Sequence, residues 1–309
     1  MRILFVTSNR IGDAVLSTGL LAHLIAAHPD ARITIACGRV AEGVFARMPN
    51  RERTIVLDKR KLSLHWLGLW ADVARTRWDL VVDIRGSGLS FLLRTRRRAV
   101  MRRKPGPKIA ELAAMLRLDP PPLPVAWIAP TDQADAAALL PADRPVLALG
   151  PSANWAPKTW PAERFAALFQ ALTSGPDAIP GLAGAVPAIF AGPGETERAM
   201  AAPLLAALPG AIDLVGRLAL PQVAACMQRA ALFVGNDSGL MHLAAASGTP
   251  TLGLFGPTSA AEYAPSGRLA AAVVAPAPHD GTATRMDALT LAAAEAAARA
   301  LLAKEALAA

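Results

Sequence analysis

The chain has 309 residues, 53 % of them hydrophobic, and a formal net charge of +8. That length and apolar content suffice for two packed cores, and the positive balance favours an anionic partner: nucleic acid, anionic lipid or a phosphorylated substrate. Two cysteines, Cys37 and Cys226, form no metal or redox spacing and read as buried free thiols in a reducing compartment. The opening apolar run, Ile3 to Val6, is too short for a signal peptide, and Asp13 would interrupt any extension of it. No uncharged run reads as a membrane span, so a soluble cytoplasmic protein is expected.

Short apolar runs alternate with longer helical stretches. Ile3–Thr7, Ile33–Ala36, Thr54–Leu57 and Leu80–Ile84 are predicted as buried parallel strands, with helices over Asp13–Ala27 and Leu62–Thr76. Pro120, Pro121, Pro122 and Pro124 then mark a connector. Beyond it the alternation restarts, with strands at Val146–Leu149, Ala188–Ala191, Leu232–Gly235 and Thr251–Phe255. Helices are expected over Pro161–Leu172, Glu195–Leu208, Leu220–Ala230 and Met286–Leu307. The pattern implies two doubly wound α/β domains, 1–140 and 141–309, with the last helix a candidate for packing back on the first. Ligands of such sheets bind beyond the carboxyl ends of the strands, so the strand-to-helix turns hold the candidate residues.

The turn after Leu232–Gly235 carries Asn236, Asp237, Ser238 and Gly239, then an apolar helix with His242 in its first turn. Small residues let a ligand approach the backbone, and exposed helix N–H groups attract phosphate. The same residues also suit an ordinary capped turn. After Val146–Leu149 come Ser152, Asn154 and Lys158; the two polar residues offer hydrogen bonds, and Lys158 is either a phosphate contact or a solvated surface charge. The turn Gly192-Pro193-Gly194-Glu195-Thr196-Glu197 lacks the Gly-Lys-Ser/Thr ending of a P-loop. Its acids could hold a ribose hydroxyl or simply complement a helix dipole.

In the first half, Asn9-Arg10-Ile11-Gly12-Asp13 follows the opening strand without a G-x-G-x-x-G fingerprint, which makes a nicotinamide-dependent dehydrogenase remote. Asp13 could accept a proton from an attacking hydroxyl or cap its helix. A basic run, Arg94, Arg96, Arg97, Arg98, Arg102, Arg103, Lys104 and Lys108, has no interleaved aromatics or nucleic-acid module beside it. It favours an anionic or membrane-bound substrate over RNA or DNA. No Asp-x-Asp pair or zinc-type Cys/His cluster occurs, so no metal and no cofactor is expected.

Taken in order, Ile11-Gly12-Asp13, Lys158-Thr159-Trp160-Pro161, Leu214-Val215-Gly216, Asn236 to His242 and Phe255-Gly256-Pro257-Thr258 resemble the lipopolysaccharide heptosyltransferases of glycosyltransferase family 9. The resemblance implies a GT-B architecture, two Rossmann-like domains facing a cleft, and an inverting, metal-independent transfer from ADP-heptose. It makes Asp13 the general base and places the donor on Ser152, Asn154, Lys158, Asp237, Ser238, Gly239 and His242. It puts Glu195 on the ribose, with Glu197 as competitor, and leaves Arg10 and Gly12 as acceptor or donor contacts. It also implies a Kdo–lipid A acceptor and peripheral contact with the cytoplasmic face of the inner membrane. The stretch Ser152-Ala153-Asn154-Trp155 departs from the adjacent hydroxyl pair of some members. A family member with another sugar or acceptor, a non-catalytic nucleotide-sugar binding protein, and a GT-B sugar-nucleotide epimerase are the competing readings.

Overall fold

The structure, a computed structural model, describes residues 1–58, 64–278 and 283–308. Its first unit, Met1–Trp127, is built on five parallel strands: β1 (Arg2–Val6), β2 (Arg32–Cys37), β3 (Arg51–Val56), β4 (Trp78–Asp83) and β5 (Thr95–Val100). They lie in the order β3-β2-β1-β4-β5. Ile3 to Val6 of the central strand are almost fully buried, which is why β1 reads as an unbroken apolar run rather than an alternating one. The arginine-rich β5 escapes sequence prediction because it is an edge strand, with Arg96, Arg97 and Arg98 exposed.

Among the described residues the α-helices of this unit are α1 (Ile11–Leu16), α2 (Thr18–Ala27), α3 (His65–Val73) and α4 (Lys108–Leu116). The single helix predicted over Asp13–Ala27 is two. Ser17 stands between them, its hydroxyl donating to the Ala14 carbonyl at 2.7 Å and lying 3.1 Å from Thr7 Oγ1. The start of the helix predicted over Leu62–Thr76 lies outside the described residues; α3 is its described part.

The second unit, Ile128–Ala309, carries six parallel strands: β6 (Val146–Gly150), β7 (Val186–Ile189), β8 (Ile212–Asp213), β9 (Leu232–Asn236), β10 (Thr251–Phe255) and β11 (Ala270–Val274). Their order is β11-β10-β9-β6-β7-β8. The helices are α5 (Pro130–Leu139), α6 (Ala162–Thr173), α7 (Glu195–Ala207), α8 (Leu220–Gln228), α9 (Gly239–Ala246), α10 (Ala260–Tyr263) and α11 (Leu291–Ala308). Strands β8 and β11 were not predicted, one being two residues long and the other an alanine-rich edge. Helix α11 packs within this unit: Ala294, Ala298 and Leu301 enter its core, and Arg299 donates to the Ala171 carbonyl of α6 at 3.1 Å.

The division between units falls at Trp127/Ile128 and not at the expected 140/141, and contacts on either side of it fix the place. The Pro-rich stretch is packed onto the first unit: Val125 N–H donates to Thr18 Oγ1 at 2.8 Å, and a side chain at Gly19 would collide with the Pro122 carbonyl. Helix α5, placed in the first domain by the sequence reading, instead packs on α8, where Gln222 Nε2 donates to Asp135 Oδ2 at 2.7 Å.

Each sheet is doubly wound. The chain moves from β1 outward through β2 and β3, then crosses to β4; it moves from β6 through β7 and β8, then crosses to β9. Where such reversals occur, the loops at the carboxyl ends of the two central strands part and leave a crevice. In the first unit these loops follow β1 and β4. In the second they follow β6 and β9.

Candidate functional site

In the second unit the crevice between β6 and β9 is assembled by Asn236, which is fully buried at the end of β9. Its Nδ2 donates to the Pro151 carbonyl at 2.7 Å, and its Oδ1 accepts from the Trp160 N–H at 3.0 Å. One amide thus ties both ends of the 151–160 loop to the neighbouring strand. Trp160 is held in turn by its indole N–H, which donates to the Leu289 carbonyl at 2.9 Å. Glycine is required where the strands end: a Cβ on Gly150 would press into the Phe233 ring at 2.7 Å.

Asp237 follows, 7 % exposed. Its Oδ2 accepts from Lys158 Nζ at 2.6 Å and from Thr258 Oγ1 at 2.8 Å, while its own N–H donates to the Leu254 carbonyl. Lys158 is therefore not a freely solvated lysine. Its ammonium is pinned at the carboxyl edge of the sheet, mostly buried, with donors to spare for another acceptor. The loops after β6, β9 and β10 converge on this one carboxylate.

Helix α9 begins immediately after. Ser238 is its N-cap, in extended conformation, yet its hydroxyl makes no capping bond and is buried without a hydrogen-bond partner among the described residues. The first N–H groups of the helix, beginning at Gly239, therefore remain available to an acceptor. His242 is buried in the first turn, 4 % exposed. Ser152 is buried on the β6 loop; Asn154 and Trp155 are exposed.

The crevice of the first unit has a different chemistry. Asp13 sits half-buried in the first turn of α1, and Ser8 Oγ donates to its Oδ2 at 3.2 Å. The same Ser8 oxygen accepts from the Arg10 N–H at 3.1 Å. Across the crevice, Asp83 ends β4 fully buried, accepting from the Arg85 N–H at 3.0 Å and from Ser87 Oγ at 2.7 Å. Burial raises its carboxyl above the ordinary carboxylate range, with those hydrogen bonds pulling the other way. The turn so formed aims Arg85 at the first loop, where its Nη1 donates to Asn9 Oδ1 at 2.9 Å.

Residues 108–291, more than half of the chain, match the family model for glycosyltransferase family 9 (heptosyltransferase). The chain belongs to that family. It is a glycosyltransferase. A curated relative, lipooligosaccharide heptosyltransferase 2 of Haemophilus influenzae, is 24 % identical over 86 % of both chains. Among solved structures, a family 9 glycosyl transferase from Veillonella parvula superposes with a TM-score of 0.80, 21 % identity and coverage of 98 % of this chain and 97 % of that one. The ADP-heptose lps heptosyltransferase II of E. coli does so with a TM-score of 0.76, 21 % identity and 99 % coverage of each. These likenesses carry the GT-B fold expected from the sequence.

Within this family 9 transferase, the predicted donor residues Ser152, Asn154, Lys158, Asp237 and Ser238 lie on the two loops of one switch point, and Gly239 and His242 in the first turn of the helix that follows. The two acids of the third turn part company. Glu197 Oε2 accepts from the Gly192 N–H at 3.1 Å and so closes its own loop, whereas Glu195 is exposed at the start of α7. Arg10, Gly12 and Asp13 lie together at the start of α1, with Arg10 exposed. Asn236 as a structural clamp, Thr258 as the second donor to Asp237, and the Asp83–Arg85 turn are not legible in the sequence as such. The one signal for the last was an acid ending an otherwise apolar strand.

Proposed function

We propose that the chain transfers a heptose from ADP-heptose to the inner core of lipopolysaccharide, with inversion at the sugar carbon. The observation that carries this reading is Lys158 anchored on Asp237 at 2.6 Å beside the uncapped start of α9. A diphosphate leaving group gains negative charge as its bond to the sugar breaks. A fixed ammonium and oriented helix N–H groups stabilise that charge without having to reorganise. Asp237 acts here by holding Lys158, because an ionised carboxylate only accepts hydrogen bonds and repels phosphate. The Ser238 hydroxyl and His242 complete the phosphate contacts, Ser152 and Asn154 flank them, and exposed Glu195 takes the ribose.

Asp13 is the general base. Its hydrogen bond from Ser8 orients the carboxylate, leaving the other oxygen for the acceptor hydroxyl. Arg10 and Gly12 beside it contact the acceptor or the departing sugar. The relatives named for ADP-heptose, lipopolysaccharide and lipooligosaccharide support this donor and acceptor class. The acceptor is of Kdo–lipid A type, met by a protein peripheral on the cytoplasmic face of the inner membrane. Among the described residues no helix is long and apolar enough to cross a membrane.

The test is transfer of ADP-heptose to Kdo–lipid A, read by mass spectrometry. The wild-type protein is expected to add one heptose, and Asp13→Asn to lower turnover about 10²–10⁴-fold while keeping its thermal stabilisation by ADP. Stabilisation by ADP without any transfer would support a non-catalytic binding protein instead. Normal turnover in Asp13→Asn would remove Asp13 from the mechanism.

A further inference from the structure

The first unit carries an apolar face that its own core does not use. Leu67 and Trp70 of α3 are 63 % and 42 % exposed, and Phe91 and Leu92 of the segment between β4 and β5 are 65 % and 71 % exposed. The two segments border one groove of about 600 Å³, lined by Trp66, Leu67, Trp70, Leu89 and Leu92 with Arg85 at its rim. Leu69, Val73 and Leu89 from the same segments are buried in the core beneath, so the exposed positions are those the fold leaves outward.

The groove adjoins the arginines of the edge strand. Arg98 donates to the Ser90 and Leu93 carbonyls and lies over the Phe91 ring, 5.2 Å from its centre. Arg94, Arg102 and Arg103, at the two ends of that strand, are exposed and make no ion pair among the described residues. Bare apolar side chains call for an apolar cover, and the surrounding positive charge opposes a second copy of the same face. A surface that is both acyl-like and anionic satisfies both demands, and Trp is suited to the boundary between them.

We propose that this face docks on an anionic phospholipid bilayer. Leu67, Trp70, Phe91 and Leu92 enter the boundary between headgroups and acyl chains, and Arg94, Arg102 and Arg103 meet headgroup phosphates. The inference rests on the peripheral-membrane reading above and names the surface that makes the contact. It needs neither donor nor acceptor, so its failure would leave the transferase reading standing, and failure of transfer would leave it untouched.

The experiment is sedimentation of the full chain with vesicles of phosphatidylcholine alone or mixed with phosphatidylglycerol. Binding to the mixed vesicles is expected to be at least about tenfold tighter and to weaken with salt. Leu67→Ser with Leu92→Ser, and separately Arg102→Glu with Arg103→Glu, should each weaken it about tenfold or more while the circular dichroism spectrum stays unchanged. Acyl-chain-brominated lipid should quench fluorescence in the wild type and less in Trp70→Phe. Absence of vesicle binding, or binding that neither double variant alters, overturns the proposal. So does a dimer in solution that Leu67→Ser with Leu92→Ser dissolves, since a second copy would then be the occupant.

Discussion

Lys158 and Asp237, seventy-nine residues apart in sequence, meet at 2.6 Å on the carboxyl edge of the second sheet, their side chains only 16 % and 10 % exposed. Removing one partner from so sheltered a pair strands the other charge. Asp237→Ala is expected to cost about 2–3 kcal/mol in urea unfolding, somewhat below the fully buried case. Lys158→Ala should cut kcat for transfer about 10²-fold or more, the scale of losing one preorganised charge at a developing anion. A double-mutant cycle should return a coupling of about 1–3 kcal/mol; additive single effects would show that the contact is incidental.

Asn236 makes a different kind of contribution. Its two hydrogen bonds satisfy the Pro151 carbonyl and the Trp160 N–H in a place with no access to water. Asn236→Ala leaves both backbone groups unpaired and opens a small cavity, so a loss of about 2–4 kcal/mol is expected. Asn236→Asp keeps the acceptor and loses the donor to Pro151, and it should be no better tolerated. Chemical denaturation of both variants checks this.

The two acids of the 192–197 turn should separate by assay. Glu197 closes its loop on the Gly192 N–H, so Glu197→Ala should lower the thermal midpoint, by the loss of about 1.5–3 kcal/mol for a bond to a charged acceptor. Exposed Glu195 makes no such bond, so Glu195→Gln should leave the midpoint within error. If Glu195 holds the ribose, that substitution raises KM for the donor about tenfold with little change in kcat. The reverse pattern would assign the ribose to Glu197.

Asp83 gives a pH signature. Burial raises its carboxyl in the folded state, so the native protein retains this proton to higher pH than the unfolded chain does. Between the two values the native state binds more protons, and stability must fall as pH rises through the window just above the ordinary carboxylate range. Asp83→Asn preserves an acceptor for the Arg85 N–H, and the Ser87 hydroxyl can turn to accept. The variant should lose that downward slope relative to wild type in urea titrations run across the window just above the ordinary carboxylate range. Parallel curves for the two proteins would refute the assignment.

The thiols should be silent in the native protein. Burial is the first cause at both: Cys37 is pushed up to about 12 and Cys226 to about 11. Neither is exposed and neither is bridged. An aromatic disulfide reagent should therefore titrate no thiol at neutral pH and both after denaturation, since the thiolate is the reacting form.

The sequence by itself determined the fold class and pointed to the strand-end turns that carry the candidate residues. Unbroken apolar strands followed by small, polar turns can only be parallel strands covered on both faces, and their carboxyl ends are where such sheets bind. Edge strands β5 and β8 were illegible because they bury too little to need an apolar run, and β11 because three alanines suit a helix better than a strand. The unit boundary was illegible as well, because packing of the prolines against Gly19 and of α5 against α8 depends on partners distant in the chain. The same holds for the division of labour within the site. Residue types alone left Lys158 open between solvent, the commoner fate of a lone lysine, and phosphate, and did not separate Glu195 from Glu197. Only tertiary structure, by bringing the ends of β6, β9 and β10 to one carboxylate, decided which charges are paired and which are left exposed.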